Sequence, residues 1–381
     1  MKIAIYETVH LDWVIPLAVF LKESPYSITF FVHRKMKEDI ENSLNGDTLA
    51  KYNWIYPDDQ HILSLYKFLD HHISIQHYDL LWLNTNDNKH ITFALLKFKY
   101  KKMRLLINIH EINNFFKPRL SMNIKRLVRY ISKKVLSKAA DAYILNADKM
   151  KQNIEEQKLT RKPCYTVAPV YYKEDGSKQS PGDKFIVVIA GTIDERRRDY
   201  RTAIHGWKIF IEKKDPAIHA ELILAGGINR YGLEIIKMCK DDILLQNTVR
   251  VFDHEIPEHI FQQLLSGATV LLSPQNIKTS ISDNIVEEYG LTKSSGNTYD
   301  AIRHAKPYII PRLLHIPDNI ETSAVRYSGY QELAYIFRDL SNNKDALTLL
   351  RKKASENSKK YTYEGMHQQI LYMLAAILKL Q

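Results

Sequence analysis

Two stretches of the sequence place residue types that could hold an anion. In Tyr289–Pro311, YGLTKSSGNTYDAIRHAKPYIIP, a glycine-containing loop opens a helix expected from about Ser295 to about Ala305, with Pro307 stopping it. Ser294 or Ser295 is placed to cap that helix. The amides of Gly296, Asn297 and Thr298 would follow as the unpaired N–H groups through which a helix start binds phosphate. Lys293 adds a full positive charge. In Val187–Tyr200, VVIAGTIDERRRDY, a strand runs into a turn at Gly191 and then into Arg196, Arg197 and Arg198. Asp194, Glu195 and Asp199 cannot satisfy all three arginines without leaving a basic surface, and a diphosphate is a natural counter-ion. Taken alone, the first stretch is an ordinary capped helix and the second a solvated turn. Their occurrence in one chain argues for a phosphate-bearing ligand.

Other chemistries have less support. Cys164 and Cys239 stand far apart and belong to no paired ligand spacing, which argues against a disulfide framework or a structural zinc and fits a reducing compartment. Asp58–Asp59 and Asp241–Asp242 lack a third carboxylate or histidine at short range, so no essential metal is expected. His71, His72 and His77 carry no ligand spacing and are expected at the surface. No G-x-G-x-x-G follows an early strand, which argues against a dinucleotide-dependent dehydrogenase.

The elements that must position these residues follow from pattern. The chain has 381 residues, 45% hydrophobic and 25% charged, with 13 glycines and 13 prolines, enough to bury a large core and most consistent with two domains. Short apolar runs alternate with helix-like segments, the signature of βαβ units on parallel sheets. Expected strands are 2–7, 27–33, 79–84, 104–111, 142–146 and 164–170 in the first half, and 185–193, 220–225, 248–253, 269–273, 308–311 and 324–327 in the second. The fold class is therefore α/β, with two six-strand Rossmann-like halves whose parallel sheets face a cleft, since such sheets bind ligands at their strands' carboxyl ends. The polar tract 173–184 reads as a linker between a domain at 1–172 and one at 185–360. The segment 361–381 is expected as a helix.

The N-terminal run reaches Glu7 before a signal-peptide core could form, and no stretch approaches the ~20 apolar residues that span a bilayer. A soluble or peripheral protein is expected. Net charge is +11, and 97–138 carries thirteen basic residues against the single acid Glu111. Within it, Ile124, Leu127, Val128, Ile131, Val135 and Leu136 trace an apolar stripe at helical spacing. Such a segment binds anionic surfaces, either membrane or nucleic acid.

The order AGTIDERRRDY, ELILAGG, VRVFDHE, TVLLSP and EEYGL…DAIRHAKPYIIP resembles the C-terminal half of retaining glycosyltransferases with the two-Rossmann-domain (GT-B) architecture, of the group 1 type. There, a loop after the first strand binds the donor diphosphate, and a Glu-x7-Glu motif precedes E-A-M-A-x-G-x-P-V. The resemblance places Glu287 at the first acid, with Glu288 as its close competitor, and Asp300 at the second. Twelve residues separate Glu287 and Asp300 instead of seven, the second acid is Asp, and Arg198–Asp199 replaces Lys-Gly. The first half matches more loosely, through LLINIHE and AADAYILNADKMKQNI.

The resemblance implies a cytoplasmic glycosyltransferase, with a peripheral seat on the inner face of the plasma membrane as a further expectation, active in surface-polysaccharide assembly. It would move a sugar from a nucleotide-diphosphate donor to a saccharide or lipid-linked acceptor without a metal. Arg197, Arg198, Lys293, Ser295, Gly191 and the amides of Gly296 and Asn297 would hold the diphosphate. Asp300 and Glu287 would accept hydrogen bonds from ribose and sugar hydroxyls. Phe252 to Glu255 would lie against the base, although Phe252 serves equally well as core. His110 would meet the donor sugar from the other domain, and Glu7, His10 or Asp12 would serve as base for the acceptor. The alternative is a non-enzymatic nucleic-acid-binding α/β protein using the basic segment, which lacks any recognition motif of the RRM, KH or helix-turn-helix kind.

Overall fold

The computed structural model describes residues 1–58, 61–85, 89–120, 122–174, 184–252, 254–280 and 284–379. Two parallel sheets form two Rossmann-like domains. The first comprises β1 (Lys2–Glu7), β2 (Ser27–Val32), β3 (Asn53–Ile55), β4 (Leu80–Leu83), β5 (Arg104–Ile109), β6 (Ala142–Leu145) and β7 (Cys164–Thr166), in the order β3-β2-β1-β4-β5-β6-β7. Its seven strands exceed the six expected from sequence. Only three residues long and flanked by Tyr52 and Pro57, β3 is too short to show a period, yet it pairs with β2 from Thr29↔Asn53 to Phe31↔Ile55.

The second sheet has β8 (Lys184–Ala190), β9 (His219–Ala225), β10 (Val249–Val251), β11 (Val270–Leu272), β14 (Tyr308–Pro311) and β15 (Ala324–Tyr327), in the order β10-β9-β8-β11-β14-β15. A separate antiparallel hairpin, β12 (Lys278–Thr279) and β13 (Glu287–Glu288), stands beside it and carries Glu287. Most of the tract read as a linker, 175–183, lies outside the described residues, as does Asp59 of the Asp58–Asp59 pair.

Strands of both sheets are apolar on both faces, as parallel sheets covered by helices on each side require. Each sheet reverses strand order once, between β1 and β4 and between β8 and β11. Crevices form at such switch points, outside the carboxyl ends of the strands. The final helix, Tyr363–Leu378, lies on the first domain. Its His367 Nδ1 donates to the Phe20 carbonyl at 2.6 Å, Tyr363 donates to Glu23 at 2.9 Å, and Gln369 donates to the Thr166 carbonyl at 3.1 Å.

Candidate functional site

At the β8–β11 switch point the arginine loop and the helix that begins at Gly296 meet. The helix spans Gly296–Arg303, starting one residue later and ending two residues earlier than expected. Arg198 is buried, donating from Nη1 to the Thr192 carbonyl and from Nη2 to Asn297 Oδ1, both at 2.9 Å. Asn297 Nδ2 in turn donates to the Ala190 carbonyl at 3.1 Å, tying the helix start to the end of β8. Gly191 makes room for this arrangement: its φ is +89°, and a Cβ there would stand 2.7 Å from Arg198 Nη2. Open space surrounds the Cβ position of Gly296, so its amide borders a clear volume.

Not every expected residue converges here. Arg196 is satisfied internally, chelating Asp194 at 3.0 and 2.6 Å and stacking 3.7 Å over the Tyr231 ring. Arg197 lies 3.8 Å from Asp194 and is half-buried. Ser295 occupies the cap position without capping; its hydroxyl donates to Gln275 Oε1 at 3.0 Å. Ser294 accepts from Asn146 Nδ2 of the first domain at 2.8 Å. Gln275, which also donates to the Arg197 carbonyl at 3.1 Å, joins the arginine loop to the helix start. Its place just after β11 was the available signal, and sequence reasoning missed it. Phe252 is half-buried and packed on core, while Asp253 lies outside the described residues.

Lys293 does not add its charge to this point. It pairs with Glu111 of the first domain at 2.5 Å, within a bridge between the two backbones. Burial raises the Glu111 carboxyl, but Lys293 and Asn114 outweigh it and leave it below its ordinary range. The residues that lengthen the segment between Glu287 and Asp300 are the ones that dock. Residues 289–293 form a tight turn, closed by the amides of Leu291, Thr292 and Lys293 on the Glu288 carbonyl, and the Thr292 carbonyl accepts from Ile112 N–H at 2.8 Å.

Glu287 belongs to the same contact. Its carboxylate accepts from the backbone N–H of Asn114 at 2.7 Å and of Asn113 at 3.3 Å, at the start of the short helix Ile112–Phe116. Burial nevertheless raises its pKa. Glu288 faces away, 3.8 Å from His315, which separates the two competitors. Beside this junction lies a cavity of about 290 Å³, lined by Asn113, Lys117, Asn153 and Gln157 from one domain and Lys278, Val286, Glu288, Leu291 and Thr292 from the other.

Asp300 is buried, 3.4 Å from Arg303, whose other nitrogen donates to Asp12 across the cleft at 2.7 Å. Burial pushes Asp300 up to about 7, and Asp12 and Glu258 add to the rise against Arg303. Across the cleft, the His10 and His110 rings lie 5.1 Å apart, tilted by 33°. His110 Nε2 lies 2.8 Å from the Asn84 carbonyl. A carbonyl only accepts, so Nε2 carries the proton and Nδ1 is left as the acceptor. Enclosure by protein, with His10 adding to it, brings His110 down to about 3, and the ring is neutral at physiological pH. Glu7 is no free base: Oε1 accepts from the amides of Val9 and His10 at 2.7 and 2.9 Å, and Oε2 from Thr85 at 2.9 Å. It thereby fixes the loop that places His10.

The basic helix spans Ile124–Ala139, and its apolar stripe divides. Leu136 is buried, whereas Ile124 is 77% exposed, Met122 just before it 99%, and Val128 and Ile131 are exposed as well. Lys133 is buried and donates to Asn114 Oδ1 and its carbonyl at 2.6 and 3.0 Å, so it supports the site from below and is not part of the surface charge.

No family model matches the sequence, and no curated protein matches it. Solved structures do. Sucrose-phosphate synthase from Thermosynechococcus elongatus superposes with a TM-score of 0.67 at 16% identity, covering 99% of each chain. Anabaena HepE in complex with UDP gives 0.65 at 14%, covering 99% of this chain and 100% of its own. The UDP-GlcNAc 2-epimerase of Neisseria meningitidis bound to UDP-GlcNAc gives 0.60 at 14%, again over 99% and 100%. At such identities the likeness establishes the fold. It is GT-B. Within it, the arginine loop and the Gly296 helix start occupy the second domain, and the histidine pair faces them from the first.

Proposed function

We propose that this chain is a glycosyltransferase that moves a sugar from a nucleotide-diphosphate-sugar donor to a saccharide or lipid-linked acceptor, with retention of configuration, in glycan assembly. The observation that carries it is the Arg198–Asn297 contact at the start of the Gly296–Arg303 helix, at the second sheet's switch point. An always-charged guanidinium and the helix-start amides meet there beside open space, as a diphosphate requires. Solved structures with this fold include complexes with UDP and with UDP-GlcNAc, which supports a nucleotide donor.

In this reading Arg198, Arg197 and the Gly296 and Asn297 amides hold the diphosphate and neutralise it as it leaves, without a metal. Gly191 admits Arg198, Ser295 and Gln275 brace the helix start, and Phe252 borders the base. Asp300 meets ribose or sugar hydroxyls when Arg303 releases it, and Glu287 and Lys293 hold the domains together over the acceptor cavity. His110, neutral, accepts through Nδ1 from the donor sugar, while His10 takes the acceptor proton.

The exposed Met122, Ile124, Val128 and Ile131, set among Lys125, Arg126, Arg129 and Lys134, would rest on an anionic membrane surface. Each cation there contributes about 1 kcal/mol. Among the described residues no helix is long and apolar enough to cross a membrane.

The test is a panel of UDP-, GDP-, dTDP- and CMP-sugars, scored for thermal stabilisation and then for nucleoside-diphosphate release with saccharide acceptors, with and without EDTA. Stabilisation by one nucleotide class and acceptor-dependent release that survives EDTA are expected. Interconversion of the donor sugar without transfer would assign the chain to the chemistry of the epimerase neighbour. Stabilisation by none of the panel would overturn the proposal. Flotation with anionic and neutral vesicles checks the membrane face, and tight salt-dependent RNA binding instead would favour the nucleic-acid alternative.

A further inference from the structure

The first domain carries a polar row that the proposed roles leave unused. Tyr6 pairs with Leu83, and Leu83 with Ile107. Glu7, Asn84 and Asn108, each one residue further along, therefore stand level on adjacent strands and share a face of the sheet. Earlier residues on that face, Ile5, Trp82 and Leu106, belong to the core. The face thus turns polar in its last row, at the carboxyl ends of the strands beside the β1–β4 switch point, the end of an open parallel sheet at which ligands bind.

Asn84 and Asn108 are 1% and 3% exposed, and neither the oxygen nor the nitrogen of either amide has a partner among the described residues. The hydrogen bonds of Glu7 go to Val9, His10 and Thr85, and none of them reaches these amides. Buried polar groups left unpaired oppose folding, and two adjacent amides of this kind need an account. The row also adjoins the junction between domains: the Asn84 carbonyl accepts from His110, and His110 precedes Glu111, the partner of Lys293.

We propose that Asn84 and Asn108 form a subsite for neighbouring hydroxyl groups of a saccharide bound in the cleft, an inference that rests on the glycosyl-transfer reading. Each amide offers two donor hydrogens and a carbonyl acceptor. An anion would satisfy the nitrogens and strand the oxygens, and a cation would do the reverse. A hydroxyl donates and accepts at once, and strands roughly 4.8 Å apart set the two amides within reach of two hydroxyls on one ring. The sugar belongs either to the donor or to the acceptor.

The test uses the full chain and the variants Asn108→Leu and Asn84→Leu, with Asn108→Ala as the smaller change. Thermal midpoints are read in buffer, with UDP, with UDP-glucose or UDP-N-acetylglucosamine, and with free mono- and disaccharides. The leucine variants are expected to melt higher than wild type in buffer, because an unpaired polar group has been replaced by an apolar one of similar size. They are expected to keep the shift from UDP and to bind the sugar-bearing ligand about tenfold or more weakly.

Loss of the increment of UDP-sugar over UDP assigns the hydroxyls to the donor, and loss of the free-saccharide shift assigns them to the acceptor. Lower midpoints in buffer for all three variants, or sugar-dependent shifts equal to wild type, would overturn the subsite. If UDP and the nucleotide sugars fail to shift wild type while a free saccharide does, the donor reading falls and the subsite stands as a saccharide site. No shift from any ligand overturns both.

Discussion

Arg198 shows how much a single side chain is asked to do. Its guanidinium is held by a backbone carbonyl and an asparagine oxygen, both neutral, so its charge is not cancelled by a carboxylate at hydrogen-bond distance. Arg196, two residues earlier, is fully committed to Asp194. Arg198→Ala is therefore expected to weaken nucleoside-diphosphate binding by about tenfold to a hundredfold, the loss that follows removal of a charged hydrogen-bond partner, and calorimetry with the free nucleotide measures it. Arg196→Ala should instead lower the melting temperature and leave affinity nearly unchanged. Equal loss of affinity in both variants would place the diphosphate elsewhere. The arginine triplet was legible in sequence as a basic turn. Asp194, the acid that takes up Arg196, is adjacent and was visible in sequence; that it chooses Arg196 depends on Tyr231, 35 positions further along, over which the Arg196 guanidinium stacks, and no local pattern records that.

At the scale of elements, the turn 289–293 is the departure that matters. Gly290 has φ +83°, and a Cβ there would lie 2.0 Å from the His315 carbonyl oxygen, so this position needs both the left-handed conformation and the missing side chain. Gly290→Ala is expected to displace the turn and remove its contacts to Glu111 and Ile112. A strained backbone of this kind costs about 1–3 kcal/mol. A drop in melting temperature together with faster proteolysis between 280 and 295 would show it; unchanged stability would mean that the turn adapts.

The long strands and the helix at Gly296 were readable because apolar runs, glycine and proline punctuate them. The hairpin β12–β13 and the strand β3 were not, because two or three residues carry no period and gain their order from pairing. Asn108 escaped notice for the opposite reason: it sits inside the apolar run LLINI, where one polar residue reads as noise.

Across the whole molecule, the domains meet through charge. Arg303 joins Asp12, Lys293 joins Glu111, and Lys149 joins Asp318 at 2.8 Å. Asp300, raised to about 7 chiefly by burial, makes part of this pH-dependent. The folded chain holds a proton on Asp300 more tightly than the unfolded chain does. Its contribution to stability is thus fully present below about pH 4, the ordinary aspartate range, and is lost as pH rises through about 7. Asp300→Asn, which cannot ionise, lacks this dependence. Relative to the variant, wild type is expected to lose melting temperature between pH 5 and pH 8, read by parallel thermal scans. A constant difference across that range would mean that Arg303 keeps Asp300 ionised throughout.

The helix Tyr363–Leu378 gives the molecule a timetable. It covers Val14, Leu17 and Phe20 on the first domain with Met366, Ile370, Met373 and Leu374, although nearly 200 residues separate it from β7. A ribosome adding about 5–20 residues per second needs roughly 10–40 s to make that stretch. For that interval the first domain waits with an apolar flank bare, and only a helix made nearly 200 residues after β7 can close it. Chaperone binding to nascent chains should accordingly persist until this helix emerges, so that a stop codon placed just before it turns a transient exposure into a permanent one.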